Sequence, residues 1–193
     1  MAPARPRATK NTPVRVAVTG GIGAGKSEAL AAFRRHRAAV LSSDEVVHGL
    51  YADDAEVRAA LEERFSTTDR SRIAEIVFAD PVELAWLEAL LHPRVRAAHA
   101  EWLDTVDADV AVIEIPLLYE TGAEALFDAV VVITAPESVR RTRRGEQVDA
   151  RSARLIPDAE KIRLADFAFV NEGPLEALDA FIETVLARLQ EDT

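Results

Sequence analysis

Residues 14–27 read VRVAVTGGIGAGKS, and this stretch decides the fold. It opens with a β-branched, apolar run that predicts a buried strand. Four glycines follow within six residues, and Lys26 and Ser27 come directly after them. From Ser27 onward the sequence SEALAAFRRH has the apolar spacing of a helix. The stretch therefore predicts a strand, a glycine-rich turn and a helix in immediate succession.

The turn matches the pattern G-x-x-x-x-G-K-[ST], in the strand–helix context that a phosphate-binding P-loop requires. Glycines let successive backbone N–H groups point at one phosphate, and the helix that follows adds its positive dipole end. Lys26 would bring a full charge to the β- and γ-phosphates of ATP, and the Ser27 hydroxyl would ligate Mg²⁺. The predicted nucleotide contacts are Gly21, Ile22, Gly23, Ala24, Gly25, Lys26, Ser27 and Glu28.

Two other interpretations of this turn are weaker. GGIGAG also resembles the G-x-G-x-x-G of dinucleotide-binding folds, but Lys-Ser follows it and no strand ending in an acid stands at the usual ribose-binding distance. A plain glycine-rich turn with a surface lysine does not need the whole motif in this context. The P-loop therefore predicts nucleotide binding, but it does not say which reaction follows.

Composition narrows the class of protein. Of 193 residues, 49% are apolar and 29% are charged, which is typical of one globular core. The net charge of -10 argues against nonspecific binding to nucleic acid. Cysteine is absent, which excludes disulfides, thiolate metal sites and cysteine nucleophiles. The apolar runs are too short to cross a membrane. We expect a cytoplasmic monomer or small homo-oligomer, with no membrane or nucleic-acid partner.

Apolar strands alternate with helices along the chain, which predicts a parallel sheet covered on both faces. Strands are predicted at 14–18, 38–43, 109–115, 128–134 and 166–170. The expected fold is therefore α/β, a three-layer α/β/α P-loop NTPase with a five-stranded parallel sheet.

The chain is expected to form a single domain, residues 14–193, after a disordered tail at 1–13. Residues 54–107 look almost entirely helical and predict an insertion on the substrate side. Within it, Pro93 is expected to end or kink one helix. Residues 141–157 are polar and arginine-rich, which suits a short closing lid.

Two carboxylates are candidates for the chemistry. Asp44 follows the second strand, and we expect it at the C-terminal end of a strand neighbouring the P-loop strand. There it could accept a hydroxyl proton, hold Mg²⁺ through water, or do both, and it could also cap the next helix. Glu114, near the end of the third strand, could be a Walker-B-like acid or could only face a polar crevice.

Arginine is concentrated after Pro136, where a helix is predicted to start. Four arginines within five residues could form a solvated basic face, but they suit a lid that closes over a triphosphate. These residues are Arg140, Arg141, Arg143 and Arg144.

Seven stretches, in chain order and with the P-loop as the first, carry a resemblance to a known family: VTGGIGAGKS, VLSSDEVVH, DRSRIAEIVFADP, LEALLHPRV, IPLLYE, RRTRR and EKIRLADFAFVNEG. Together they resemble the dephospho-CoA kinase family over nearly all of residues 14–190. The P-loop is shared by a vast superfamily, whereas LLHP followed by PLLYE is much more restrictive.

The resemblance implies transfer of phosphate from ATP, with Mg²⁺, to the ribose 3′-hydroxyl of dephospho-CoA. It gives Asp44 the place of the catalytic base, with a share in the metal site beside Ser27. It implies that Arg141 and Arg144 come from the lid to neutralise phosphate charge and that Asn171 lies near the adenine. The acceptor side would be lined by Arg70, His92, Leu117, Leu118 and Glu120.

Some of these residues also have simpler interpretations. Arg70 follows Asp69 and fits an ordinary surface ion pair. His92 precedes Pro93 and fits the cap of a helix end as well as a ligand.

The sequence also departs from the family pattern. Glu28 stands where a threonine is usual, Ser42 where an acid is common, and Leu155 where glutamine is typical, and the lid is short. These departures concern the acceptor side and the lid more than nucleotide binding. They keep open a P-loop kinase for another small hydroxyl-bearing metabolite, and a nucleotide-binding protein that has lost catalysis.

Overall fold

The computed structural model describes residues 12–144 and 156–191, without the side chain of Arg144. These residues form two compact units. The sheet unit holds the described residues before Ser42 and after Thr105, and the helical unit is Ser42–Thr105. The helical unit begins earlier than the predicted insertion because the helix that starts after Ser42 packs with helices of that unit. Most of the predicted tail and lid, with Leu155, lies outside the described residues.

As predicted, the sheet is parallel and has five strands. Their order is β2-β3-β1-β4-β5. The strands are β1 Val14–Thr19, β2 Ala39–Ser42, β3 Val110–Glu114, β4 Ala129–Thr134 and β5 Phe167–Val170. Val16 of β1 lies opposite Val112 of β3 and Ala129 of β4. The expectation that the strand before Asp44 neighbours the P-loop strand was wrong, because β3 lies between β2 and β1.

Eight α-helices are present in the described part of the chain, and α1 follows the P-loop directly. The helices are α1 Lys26–Arg35, α2 Ser43–Asp53, α3 Ala55–Phe65, α4 Arg70–Ala79, α5 Pro81–Thr105, α6 Glu137–Arg144, α7 Asp158–Leu164 and α8 Leu175–Glu191, with a 3₁₀ turn at Ala123–Leu126. None of these helices is long and apolar enough to cross a membrane.

The core of the sheet unit explains the apolar strands. Phe33 of α1 and Ile182 of α8 belong to one buried cluster with Val16 and Ile133 of the sheet. Val132, whose side chain alternates to the other face, is fully buried as well. Strands covered on both faces need apolar side chains at nearly every position, which is the pattern that predicted the parallel sheet.

The helical unit has its own core, which lies between α3, α4 and α5. Leu61 and Ile73 are fully buried in it. Trp86 lies edge-on to Phe65 with ring centroids 5.3 Å apart. Asp69 caps α4 by accepting the N–H of Arg72 at 2.9 Å, so this carboxylate has a structural role of its own.

Two local expectations about this unit have different outcomes. Pro93 does not end a helix, because α5 runs through it from Pro81 to Thr105, and the kink that was the alternative stays a prediction. Packing on both sides of the proline, at Leu91 and Leu103, offsets the backbone hydrogen bond that a proline cannot donate. Asp44 is not the N-cap of α2, because the helix begins at Ser43 and Ser42 takes the N-cap position.

Candidate active site

The P-loop connects β1 to α1 and has a backbone that only glycine tolerates at its two ends. Gly25 is the N-cap of α1 with φ of 100°, and a Cβ there would collide with the Asn171 amide nitrogen. A Cβ on Gly20 would collide with the carbonyl of Ile133 in β4. The loop is thus held from β4 and from the end of β5, and it leads directly into the N-terminus of α1, where an anion is favoured.

Gly25→Ala should therefore disrupt the loop. A left-handed φ costs a residue with a Cβ about 1–2 kcal/mol, and the Asn171 amide must also move. We expect a lower melting temperature and weaker ATP binding in a calorimetric titration. The matched control is Gly49→Ala, inside α2, where a Cβ would meet nothing within 4 Å. Alanine there should stabilise the helix by about 0.5–1 kcal/mol, so equal effects of the two variants would contradict this prediction.

Lys26 is held over the loop. Its Nζ donates to the carbonyls of Gly20 at 3.1 Å and Gly21 at 3.3 Å. It also lies 3.7 Å from Oε1 of Glu114, a buried carboxylate at the end of β3. The sequence singled out Glu114 only as the weaker of two acids, and the structure places it beside the P-loop lysine.

The last two predicted nucleotide contacts, Ser27 and Glu28, lie in the first turn of α1. Ser27 and Glu28 are both exposed there. The Ser27 hydroxyl is therefore open to a ligand at the helix N-terminus, where a nucleotide-bound Mg²⁺ would fit its oxygen donor. Since Glu28 is exposed, its carboxylate is solvated, which lessens the repulsion expected between it and phosphate.

The arginines that reach the loop differ from those predicted. Arg143 donates from Nη1 to the carbonyl of Gly23 at 3.3 Å. Arg140 lies against Gly21 and pairs with Asp158 at 3.4 Å. Arg141 is exposed and pairs within its own helix, 2.5 Å from Glu137.

Helical geometry accounts for this difference. Residues three apart share a face of α6, so Arg140 and Arg143 point the same way and Arg141 is turned by about 100° from Arg140. The spacing of the arginines on a helix that starts after Pro136 carried this signal. The side chain of Arg144 lies outside the described residues, and the catalytic roles of Arg141 and Arg144 stay predictions.

Asn171 supports the P-loop from the end of β5. Its side chain is buried, and Nδ2 donates to the carbonyl of Ala24 at 2.9 Å. Its backbone N–H donates to the carbonyl of Thr134 at 2.7 Å. Proximity to the adenine stays a prediction, and the contact that the structure shows is with the loop.

The PLLYE segment is anchored in the sheet unit. Leu118 is fully buried and packs inside the protein, whereas Leu117 is half-buried. Oε1 of Glu120 accepts the backbone N–H of Ile156 at 2.9 Å and lies 2.8 Å from Nζ of Lys161. Lys161, which the sequence analysis missed, is fully buried. Glu120 therefore fixes the start of α7, and its predicted contact with substrate stays a prediction.

Lys161→Met should destabilise the fold, because it leaves the Glu120 carboxylate buried without its positive partner. Breaking a buried pair in this way costs about 3–5 kcal/mol, to be measured as a change in the free energy of unfolding. Adding Glu120→Gln should recover part of the loss. Arg163→Met removes the same charge from an exposed position of the same helix and serves as the control. A loss no larger than that of the control would contradict this prediction.

The helical unit brings together two residues predicted for the acceptor side. Asp44, the second residue of α2, has a side chain 76% exposed, and its Oδ1 lies 4.0 Å from Nη2 of Arg70, the first residue of α4. Burial raises the pKa of Tyr51, on the same face of α2, and the positive charge of Arg70 opposes this rise. His92 is half-buried in α5.

A histidine that the sequence analysis missed contacts Ser43, the residue before Asp44. His99 of α5 is buried, and its Nε2 is 3.2 Å from Oγ of Ser43, the first residue of α2. Burial lowers the pKa of His99 to about 4, so the imidazole is neutral at pH 7. The helical spacing of His99 with the apolar residues of α5 hid it, because such a position is usually occupied by an ordinary core residue.

Comparison with known proteins places this arrangement in a family. The sequence profile of the family described as dephospho-CoA kinase matches residues 14–177. The dephospho-CoA kinase of Rhodopseudomonas palustris (strain BisB18) is 38% identical over 186 residues, covering 88% of this chain and 92% of its own length.

Solved structures agree. The Campylobacter jejuni dephospho-CoA kinase superposes with a TM-score of 0.65 at 26% identity, covering 91% of this chain and 97% of its own. The protein TT1252 from Thermus thermophilus gives a TM-score of 0.78 at 34% identity, covering 92% and 98%. The chain therefore belongs to the dephospho-CoA kinase family.

Proposed function

We propose that this chain transfers the γ-phosphate of ATP to the 3′-hydroxyl of the ribose of dephospho-CoA, giving coenzyme A and ADP. The observation that most supports dephospho-CoA as the acceptor is the approach of Asp44 to Arg70. A carboxylate that can take up a proton and a guanidinium that can bind phosphate come together there from two helices of one unit. The P-loop accounts for the nucleotide, and these two residues account for a hydroxyl acceptor that carries phosphate groups.

Each side chain has a distinct task in an in-line transfer. Asp44 takes the proton of the 3′-hydroxyl as its oxygen forms a bond to the γ-phosphorus, and the bond from that phosphorus to the bridging oxygen of ADP breaks. Lys26 stabilises the negative charge on the transferring group, and the N–H groups of the loop hold the β-phosphate. Arg70 orients an anionic group of the acceptor.

Mg²⁺ would be held by the Ser27 hydroxyl, with Asp44 contributing directly or through water, and it would neutralise part of the charge on the phosphates. Arg140 and Arg143, which contact the loop, are the α6 arginines whose position suits a similar task. Arg141 and Arg144 join them in this proposal if the lid rearranges around the nucleotide.

The test is ADP release by the purified protein with ATP and Mg²⁺, with and without dephospho-CoA, and identification of coenzyme A by mass. Turnover that depends on dephospho-CoA and stops when EDTA removes the metal is the expected result. A parallel panel of nucleosides tests for a different acceptor. ATP binding without transfer to dephospho-CoA would overturn the proposal, and transfer to a panel member would name the substrate class instead.

A further inference from the structure

We infer that His99 is a positioning residue for the reaction: through Ser43 it fixes the first turn of α2 and thereby the place from which the Asp44 carboxylate projects. This inference rests on the proposed role of Asp44 as the base. It concerns a residue that is buried and that the transfer mechanism above does not use.

The first step of the argument is the exposure of Asp44. Its side chain is 76% exposed, and the nearest guanidinium nitrogen of Arg70, itself half exposed, is 4.0 Å away. An ion pair at that distance and exposure is too weak to hold a carboxylate in one direction. The position of the Asp44 carboxylate therefore depends mainly on the backbone of α2 that carries it.

The second step is the anchor of that backbone. Ser43 is the residue before Asp44, and it is buried at the start of α2. A hydrogen bond joins its Oγ to Nε2 of His99, which belongs to α5, and α2 packs along α5. The N-cap residue Ser42 makes no side-chain capping hydrogen bond to the helix. The contact with His99 thus ties the start of α2 to the longest helix of the unit.

The third step is the protonation state of His99. Because it is neutral, the imidazole takes part in this hydrogen bond without placing a second charge behind the base. In a buried site a satisfied hydrogen bond is also hard to replace, since either partner left alone keeps its full desolvation cost. A neutral histidine in this place therefore fixes the start of α2 against α5. It adds no positive charge that would compete with the substrate for the Asp44 carboxylate.

The test uses the full chain and the dephospho-CoA assay, with four single variants and the double variant of His99→Leu and Ser43→Ala. His99→Leu and Ser43→Ala each remove one partner of the hydrogen bond. His99→Gln keeps a polar group near the place of Nε2, and Asp44→Asn removes the proposed base. For each variant we would measure kcat, KM for ATP and the melting temperature.

We expect His99→Leu and Ser43→Ala each to lower kcat about 3- to 10-fold, with KM for ATP unchanged. The double variant should be no slower than the slower single variant, because both substitutions break the same contact. His99→Gln should recover most of kcat. A purely structural histidine would lower the melting temperature in His99→Leu and leave kcat at the parental value, and this result would overturn the inference.

The outcomes separate this inference from the proposed function. If Asp44→Asn loses activity while His99→Leu and Ser43→Ala keep it, only the positioning role fails. If Asp44→Asn turns over as fast as the parent, the role of Asp44 fails and the positioning role fails with it. Additive losses in the double variant would also count against coupling through the Ser43 hydrogen bond.

Discussion

Lys26→Ala should lower kcat for phosphate transfer by about 10²- to 10³-fold. The ammonium lies on the carbonyls of Gly20 and Gly21, at the mouth of the loop that is expected to hold the β- and γ-phosphates. A positive charge there stabilises the transition state most, when the phosphoryl group lies between the bridging oxygen of ADP and the acceptor oxygen. We therefore expect kcat to fall by a larger factor than KM for ATP rises. Steady-state kinetics with varied ATP separate the two effects.

The control for this variant must account for Glu114, which would lose its positive neighbour and remain buried. Lys26→Arg keeps the charge beside Glu114 and should fold, yet it should still be slow, because a planar guanidinium cannot replace a compact ammonium among the loop carbonyls. Arg34→Ala removes a charge from an exposed position of the same helix and should retain parental kinetics. Parental kcat in both Lys26 variants would show that the lysine does not act on the transferring phosphate.

Hydrophobic periodicity and the glycine motif were enough to predict the architecture of the sheet unit. All five strands were placed within a few residues of their observed bounds. The apolar runs of β3 and β4 match strands that are buried at every position, whereas β5, at the edge of the sheet, leaves alternate residues exposed. The order of the strands was harder. Between β2 and β1 in the sheet lies β3, which is separated from β1 along the chain by the whole helical unit. Local patterns carry no information about such long-range pairing.

Pro93 shows a second limit of local reasoning. A proline inside a helix loses one backbone hydrogen bond, and on propensity alone the helix should stop. The helix α5 continues through Pro93 because side chains on both sides of the proline are buried. That burial depends on the fold of the whole unit and not on the sequence near residue 93. Tertiary packing overrides local propensity at this position.

The candidate site was predictable in type but not in its contacts. The P-loop motif identified Lys26, and the position of Asp44 after a strand identified it as the candidate base. The contacts of Arg143, Lys161 and His99 depend on where helices far apart in the chain meet, so they could not be found in advance. A buried lysine and a buried histidine in particular look like ordinary surface or core residues until their partners are known.

Asp44→Asn is the second variant with a large expected effect. Asparagine keeps the size and polarity of the side chain but cannot take up a proton, so kcat should fall by about 10²- to 10⁴-fold if the carboxylate is the base. ATP binding, measured by calorimetric titration without acceptor, should stay near the parental value because the P-loop belongs to the sheet unit. Because the side chain is exposed, we expect Asp44→Asn to keep the parental melting temperature, which thermal unfolding measures.

The matched control is Asp53→Asn, which removes an equal charge from an exposed position at the other end of α2. It changes the net charge of the protein by the same amount as Asp44→Asn, but it lies about 13 Å further along the helix axis, at the end where the helix dipole favours loss of a negative charge. If Asp53→Asn were as slow as Asp44→Asn, the loss would come from the charge of α2 as a whole. A loss confined to Asp44→Asn, with ATP binding intact, would tie the proton transfer to one carboxylate and separate the acceptor side from the nucleotide side of the reaction.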